Sequence, residues 1–284
     1  MFPRVVFSTL ALTLMACSSE TPKAKDRHVE IFSFWTAPGE AEALDSLMNV
    51  YTTKYPGTTW TNSAVTGSDN ASEQLEQRMI NGLPPDTFQT AGRTEIERWV
   101  MVNGVDDSES KMEPMDSIAT ANGWYDAIPP EVLDVVTFNG HVYAIPLNIE
   151  RINSFFYNIK VLNDHGLQPP TTLEEFYTVA DALKADGITP LAVGCSEPWT
   201  MGLLFWENLL VAKAGRDYFV DFLHGRGNPD DPQIRDTLVE LDKMLDYVND
   251  DAANLTWDEA VELVHSGDAA MTIMGDWTKG YLVQ

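Results

Sequence analysis

Histidine and the common catalytic motifs are scarce in this sequence. The chain has no Gly-x-Ser-x-Gly motif and no phosphate-binding loop. Its five histidines are scattered, with no spacing typical of a metal site. They are His28, His141, His165, His224 and His265. We therefore expect neither a bound metal nor a cofactor.

Positive charge is also in short supply. The 284 residues include 18 lysines and arginines against 43 aspartates and glutamates, a formal net charge of −25. Such a charge repels nucleic acid and anionic lipid headgroups, so we expect neither as a partner and interpret the charge as a strongly solvated surface. The 44% hydrophobic and 21% charged residues are typical of a globular protein, and the length allows two domains.

Long hydrophobic runs are missing as well, apart from a short one at the N-terminus. A basic start at Arg4 precedes an apolar run over residues 5–15, which is too short to span a bilayer but typical of a secretory signal. The run ends in Leu-Met-Ala-Cys, which resembles the bacterial lipobox. We expect a lipoprotein signal peptide over residues 1–17, lipidation of Cys17 and a polar tether over residues 18–28. Once Cys17 carries a lipid, Cys195 has no partner, and we interpret it as a small buried residue. The alternative to lipidation is an ordinary cleaved signal with an incidental cysteine.

The stretch that organises the rest of the chain is residues 29–35 (VEIFSFW). Both alternating faces are largely apolar, which predicts a strand buried on both sides, and a helix is predicted over residues 41–55. The loop between them carries Trp35 and Glu40 at the carboxyl end of the strand, where open α/β sheets bind ligands. An indole and a carboxylate suit a carbohydrate. The alternative is that Trp35 belongs to the core and Glu40 only complements the helix dipole.

Strand and helix patterns then alternate, which predicts a parallel sheet with helices on its faces. Strands are expected at residues 58–65 and 86–90, with helices at 71–80 and about 95–102. The first of these helices should direct Leu75, Met79 and Ile80 inward. Gln89 ends the third strand as a candidate for hydrogen bonds to hydroxyl groups, although it could equally be an ordinary loop residue.

Asn139-Gly140 joins two β-rich runs and predicts a hairpin. Pro146 interrupts the second run, and we place a lobe boundary there, giving lobes of residues 29–145 and 146–284. The second lobe should be mostly helical, including a helix over 201–214 and capping boxes at Thr172 and Thr256. Short strands are expected at 153–157, 188–193 and 269–274.

Several motifs together resemble the extracellular sugar-binding proteins of bacterial ABC transporters (solute-binding protein family 1), especially the glucose- and mannose-binding branch. They are residues 34–40 (FWTAPGE), 83–89 (LPPDTFQ), 142–148 (VYAIPLN), 156–158 (FYN) and 269–280 (AAMTIMGDWTKG). The resemblance implies a two-lobed α/β fold of the type II periplasmic-binding-protein class. Family members continue for well over a hundred further residues, so we expect an N-terminal fragment whose C-terminal part is missing.

Carried over residue by residue, the resemblance implies that Trp35 and Glu40 contact the sugar and that Gln89 hydrogen-bonds it. From the second lobe, Trp199 and Trp277 would reach the sugar, with Trp277 stacking on a ring face and Asp276 and Lys279 nearby. Taken alone, Trp199 could be a packing residue at a helix start, Asp276 a helix cap and Lys279 a solvated lysine. Three positions, Phe34, Ala91 and Glu150, depart from residues common in the branch and leave the sugar open. The remaining tryptophans are assigned to packing: Trp60, Trp99, Trp124, Trp206 and Trp257.

The expected function is that of a receptor, not an enzyme. It would bind a sugar between the lobes, expected to be glucose, a related hexose or another monosaccharide, or a short oligosaccharide, and deliver it to the permease subunits of an ABC transporter. We expect a monomer in the periplasm or on the extracellular face, held to the membrane only by the lipid on Cys17. Two alternatives remain: a surface glycoside hydrolase using Glu40 and Asp276 as a carboxylate pair, and an adhesin or sensor lipoprotein.

Overall fold

The computed structural model describes residues 27–90, 92–101 and 110–283. The predicted signal peptide, Cys17 and residues 18–26 of the predicted tether lie outside the described residues. In the part of the chain that is described, none of the helices has the length and apolarity that crossing a bilayer requires.

The first sheet contains three parallel strands in the order β2-β1-β3, namely β1 (Arg27–Phe32), β2 (Thr58–Asn62) and β3 (Thr87–Phe88). Three helices alternate with them: α1 (Glu40–Lys54), α2 (Ser68–Ile80) and α3 (Arg93–Val100). The predicted alternation of strand and helix is thereby confirmed. It brings the ends of β1 and β3 together, because parallel strands share one carboxyl edge.

Two details of the first sheet differ from the prediction. The first strand ends at Phe32 and not at Trp35, because its regular pairing with β2 ends at Ile31 and that with β3 ends at Phe32. Residues 33–39 are thereby released as the loop that carries Trp35. The prediction that Ile80 points inward is wrong, since 68% of its surface is exposed, whereas Leu75 and Met79 are buried as expected.

Short elements follow up to the predicted boundary. The helices are α4 (Asp116–Ala121), α5 (Trp124–Ala127) and α6 (Pro130–Val135). The predicted hairpin is confirmed, although its strands β4 (Thr137–Phe138) and β5 (His141–Val142) have only two residues each. Its turn places Asn139 at φ 49° and Gly140 at φ 83°. Positive φ at both central positions is the reason that Asn-Gly favours this turn.

The second sheet has the order β6-β8-β7 and is mixed. Strand β8 (Ala269–Met274) pairs antiparallel with β6 (Ser154–Tyr157) and parallel with β7 (Thr189–Leu191). The predicted capping box at Thr256 is present at the start of the helix Trp257–Ser266. The surrounding α-helices are α7 (Ile159–Asp164), α8 (Leu173–Ala185), α9 (Glu207–Ala214), α10 (Arg216–Leu223), α11 (Pro232–Leu245), α12 (Trp257–Ser266) and α13 (Thr278–Leu282).

The helix predicted over residues 201–214 is divided. A π-helix from Thr200 to Trp206 leads directly into α9. Wider turns of this kind occur in short pieces and often near functional sites. This one begins immediately after Trp199.

The buried apolar clusters of the described residues lie on one side or the other of residue 146. The largest cluster lies after residue 146 and is centred on Leu183, Leu191 and Met271. The clusters before residue 146 include one around Phe32 and Leu75. None of the described clusters draws buried residues from both sides. This division supports the proposed boundary at 145/146, which stays a prediction. We refer below to residues 27–145 as the N-terminal half and residues 146–283 as the C-terminal half.

Candidate binding site

A cavity of about 1280 Å³ lies between the two halves and is lined by residues from both. The lining includes five of the seven sugar contacts implied by the sequence: Trp35, Glu40, Gln89, Trp199 and Trp277. The two remaining residues, Asp276 and Lys279, are not among its lining residues. Residues far apart in the sequence are thus brought together around one space, although their contact with a ligand stays a prediction.

Trp35 and Glu40 reach the cavity through the loop between β1 and α1. Gly39 is the N-cap of α1 at φ 89°, a left-handed conformation that favours glycine, and Glu40 is the first residue of the helix. Trp35 is half-buried and packs against the cluster of Ile31, Leu44 and Met48 while also bordering the cavity. Its indole is therefore both part of the core and a wall of the site.

The carboxyl group of Glu40 is electrostatically unusual. Burial, opposed by a hydrogen bond from the Ala37 backbone, raises the pKa of Glu40 to about 7, and the nearby carboxylates of Glu150 and Asp258 add to the effect. Desolvation and like charge both disfavour the ionised form. The group can therefore act as a hydrogen-bond donor or acceptor near neutral pH.

Gln89 is fixed at the carboxyl edge of the first sheet. Its backbone N–H donates to the Phe32 carbonyl (2.8 Å), and its side-chain oxygen accepts the Phe34 backbone N–H (3.3 Å). The side-chain oxygen therefore holds the chain where β1 ends. The amide nitrogen remains as the donor that Gln89 can offer to a ligand.

Three indoles form a wall on the C-terminal half. The Trp277 ring lies 6.2 Å from that of Trp199 and 6.3 Å from that of Trp257, with interplanar angles of 55° and 86°. Trp257, assigned to packing from the sequence, also lines the cavity. A tryptophan directly after a helix N-cap is an ordinary packing position, so nothing in the sequence distinguished it.

Gly275 sets the position of the Trp277 ring. A Cβ atom at residue 275 would lie 1.9 Å from the Trp277 ring, so the indole folds back over the glycine backbone. Any larger side chain would displace it. The short Gly-Asp-Trp turn after β8 thus aims the indole at the cavity.

Glu197 is a second lining residue that the sequence did not single out. Its Oε2 atom accepts the Trp199 indole N–H at 2.6 Å. A Cβ at Gly67 would lie 1.7 Å from its Oε1 atom. Glu197 therefore touches both halves.

Asp276 and Lys279 are exposed and take other positions. Asp276 accepts the Arg151 backbone N–H through Oδ1 (3.1 Å), and its own N–H donates to the Arg151 carbonyl (3.0 Å). It thereby fastens the chain after residue 146 to the end of β8. Because Glu40 lines the cavity and Asp276 does not, the carboxylate pair of the hydrolase alternative is not assembled there.

The charge of the cavity is predominantly negative. Of the described residues, a single basic one, Lys111, belongs to its lining. The acidic lining residues are Glu40, Asp86, Glu113, Glu150, Glu197, Asp258 and Glu259. Among the described residues, no group of three or more histidine, cysteine or acidic side chains is arranged to hold a metal ion.

Comparison with known proteins gives a consistent family. The sequence model of the family described as bacterial extracellular solute-binding protein matches residues 26–283. An ABC transporter extracellular-binding protein of Pyrococcus horikoshii is 37% identical over 268 residues, covering 93% of this chain and 59% of that protein. A Brucella suis protein named "probable sugar-binding periplasmic protein" is 30% identical over 285 residues, covering 96% and 63%.

A solved structure shares the fold. A chitin oligosaccharide binding protein superimposes with a TM-score of 0.77 at 24% identity, over 91% of this chain and 63% of that one. These matches confirm the resemblance seen in the sequence motifs and the type II periplasmic-binding-protein fold. The chain spans about 59–63% of the length of the proteins it matches here.

Proposed function

The chain belongs to the bacterial extracellular solute-binding protein family, and we propose that it binds a sugar in the cavity between its halves and delivers it to an ABC transporter. The observation that carries the proposal is the meeting of Trp35, Glu40 and Gln89 with Trp199 and Trp277 around one space. Indoles remove the apolar faces of a sugar ring from water, while carboxylates and amides satisfy its hydroxyl groups.

Binding and closure are linked in this proposal. The N-terminal and C-terminal halves act as lobes, and a sugar that touches both stabilises the closed arrangement over the open one. The closed form is then the one that the permease subunits recognise. We further propose that the protein acts as a monomer outside the cytoplasmic membrane, anchored through lipidated Cys17.

The charge of the cavity supports a neutral sugar as the ligand. Uronic acids and sugar phosphates would bring a negative charge next to the seven carboxyl groups of the lining. Among the described lining residues, Lys111 is the single basic residue that could offset this charge. Like charges in a partly desolvated site repel strongly. The names of the relatives, a sugar-binding protein and a chitin oligosaccharide binding protein, agree with a saccharide, from monosaccharide to short oligosaccharide.

The test is calorimetric titration of the full chain with a panel of sugars. The panel contains glucose, mannose, galactose, xylose and short oligosaccharides, with glucuronate and glucose 6-phosphate as the anionic members. We expect at least one neutral sugar to bind and both anionic sugars to bind far more weakly. Binding of none of the neutral sugars by the folded chain, or turnover of a glycoside, contradicts the proposal.

Trp277→Ala tests the stacking role within the same experiment. Loss of one stacking indole should weaken binding by about 1–3 kcal/mol. Trp60→Ala is the matched control, because Trp60 is also half-buried but does not line the cavity. Equal effects of the two substitutions on affinity would contradict a role of Trp277 in sugar binding.

A further inference from the structure

Glu197 makes two contacts with different partners through its two carboxylate oxygens. The Oε2 atom accepts the indole N–H of Trp199 at 2.6 Å, within the C-terminal half. The Oε1 atom lies against Gly67 of the N-terminal half, 1.7 Å from where a Cβ atom would be. Only glycine at position 67 leaves room for the carboxylate. All three residues line the cavity.

The contact with Gly67 has an electrostatic side as well as a steric one. Gly67 is the N-cap of α2, a helix of 13 residues, and as a glycine it has no side chain that could accept the first N–H groups. The N-terminus of a helix carries unsatisfied N–H groups and a partial positive charge, so a carboxylate there is favourable. Glu197 supplies this negative charge from the other half of the molecule.

A second glycine contact joins the halves independently of any side chain. A Cβ atom at Gly39 would lie 2.8 Å from the carbonyl carbon of Gly280 in α13. Both glycine contacts lie beside the site, since Gly39 adjoins Glu40 and Gly280 follows Trp277 closely in the chain. The contact between Gly39 and Gly280 involves backbone alone, whereas the contact at Gly67 is tied to an indole of the cavity wall.

We propose that Glu197 is a positioning residue that couples the orientation of the Trp199 indole to closure of the two halves, an inference that rests on the proposed sugar-binding function. When the indole is held in place, the same carboxylate is set against the N-terminus of α2. A sugar stacked on Trp199 restricts the indole further, and so favours the contact that joins the halves. Displacement of either partner loosens the other.

A double-mutant cycle with Gly67→Ala and Glu197→Ala tests this coupling. The methyl group introduced at position 67 meets the Glu197 carboxylate in the first variant but has free space once residue 197 is alanine. The backbone strain of alanine at φ 88° is present whether or not Glu197 is there, so it cancels in the cycle. We expect the double variant to lose less sugar affinity than the product of the fold-losses of the two single variants. Strictly additive effects overturn the proposal.

The conservative variant Glu197→Gln separates charge from hydrogen bonding. Glutamine keeps an oxygen acceptor for the Trp199 indole but loses the charge at the helix terminus. We expect about a two- to fivefold loss of sugar affinity for glutamine and about tenfold for alanine. Equal losses for glutamine and alanine would leave no role for the indole hydrogen bond and would contradict the coupling.

Measurements without sugar keep this proposal separate from the proposed function. The same cycle is read in the free energy of unfolding and in the radius of gyration from small-angle scattering. Coupling between residues 67 and 197 in these readouts, with no sugar bound by the wild type, supports the contact but overturns the receptor function. Sugar binding by the wild type together with an additive cycle overturns the role of Glu197 alone.

Discussion

Glu40 titrates in a range where ordinary glutamates do not, and this has a consequence for stability. Its pKa is raised from 4.5 to about 7, first by burial. Between those values the folded chain holds a proton that the unfolded chain has lost. The free energy of unfolding contributed by this group therefore falls as the pH rises from about 4.5 to 7, and it is constant outside that window.

The substitution Glu40→Gln should remove this pH dependence. We expect the melting temperature of the variant minus that of wild type to increase as the pH rises from 4.5 to 7. Above pH 7 this difference should stay constant. Thermal unfolding at pH 4, 5.5, 7 and 8 measures it. Glu73→Gln, an exposed change on α2, is the control for loss of one negative charge. A difference between Glu40→Gln and wild type that is the same at pH 4 and pH 8 contradicts the expectation.

At the level of single residues, the sequence predicted the part of the site that local patterns report. Trp35, Glu40 and Gln89 follow strands, so their places at the sheet edge beside the cavity were predictable from local patterns. The places of Trp199 and Trp277 were implied by the family resemblance, and the binding role of all five stays a prediction. Glu197 and Trp257 were not predictable, because the role of each is set by a partner distant in the chain. The contact of Glu197 with Gly67 depends on how the two halves meet, and no local pattern contains that information.

At the scale of whole elements, the capping residues of α8 and α12 allow a matched comparison. Thr172 accepts the Glu175 backbone N–H (3.1 Å) at the start of α8. At the start of α12, Glu259 accepts the Thr256 backbone N–H (2.9 Å), and the Thr256 hydroxyl contacts Asp258 (2.6 Å). Both helices have a threonine N-cap, but the Glu175 carboxylate accepts the Thr171 backbone N–H (2.7 Å) and not that of Thr172, so the capping box predicted at Thr172 is not formed. Of the two helices, only α12 begins at the cavity, with Trp257 as its first residue.

We expect Thr172→Ala and Thr256→Ala each to cost about 1 kcal/mol of stability, since each loses a cap. Only Thr256→Ala should also weaken sugar binding, because a frayed first turn of α12 moves the Trp257 indole away from Trp277. Chemical unfolding gives the first quantity and calorimetric titration the second. A loss of affinity in Thr172→Ala of equal size would show that general destabilisation, and not the position of Trp257, is responsible.

The order and type of the elements were more predictable than their lengths. Strand β1 stops at Phe32, although the alternation continues to Trp35, because a strand persists only while a neighbour pairs with it. The π-helix between Thr200 and Trp206 gives the same apolar signal as an α-helix, so periodicity could not separate the two. Ile80 is exposed because α2 presents that side to solvent at its last turn, which depends on the packing of the whole helix.

At the scale of the whole molecule, the formal net charge of −25 opposes compaction. Self-repulsion among surface carboxylates is weaker in the expanded chain, so it lowers the free energy of unfolding. Dissolved salt screens this repulsion, and the screening length falls from roughly 30 Å at 0.01 M to roughly 10 Å at 0.1 M and 3 Å at 1 M. Most of the reduction in charge repulsion should therefore be complete below a salt concentration of about 0.5 M.

We expect the melting temperature to rise with sodium chloride and then level off, by about 2–4 °C for each kcal/mol of repulsion removed. The affinity for a neutral sugar should stay within about twofold over the same range, because no charge is transferred on binding. Thermal scans and titrations at matched salt concentrations measure both. A melting temperature that keeps rising linearly into molar salt would point to exclusion of salt from the protein surface instead. A steep change of the affinity for a neutral sugar with salt would mean that charged groups of the protein change their interactions on binding, and would contradict this expectation.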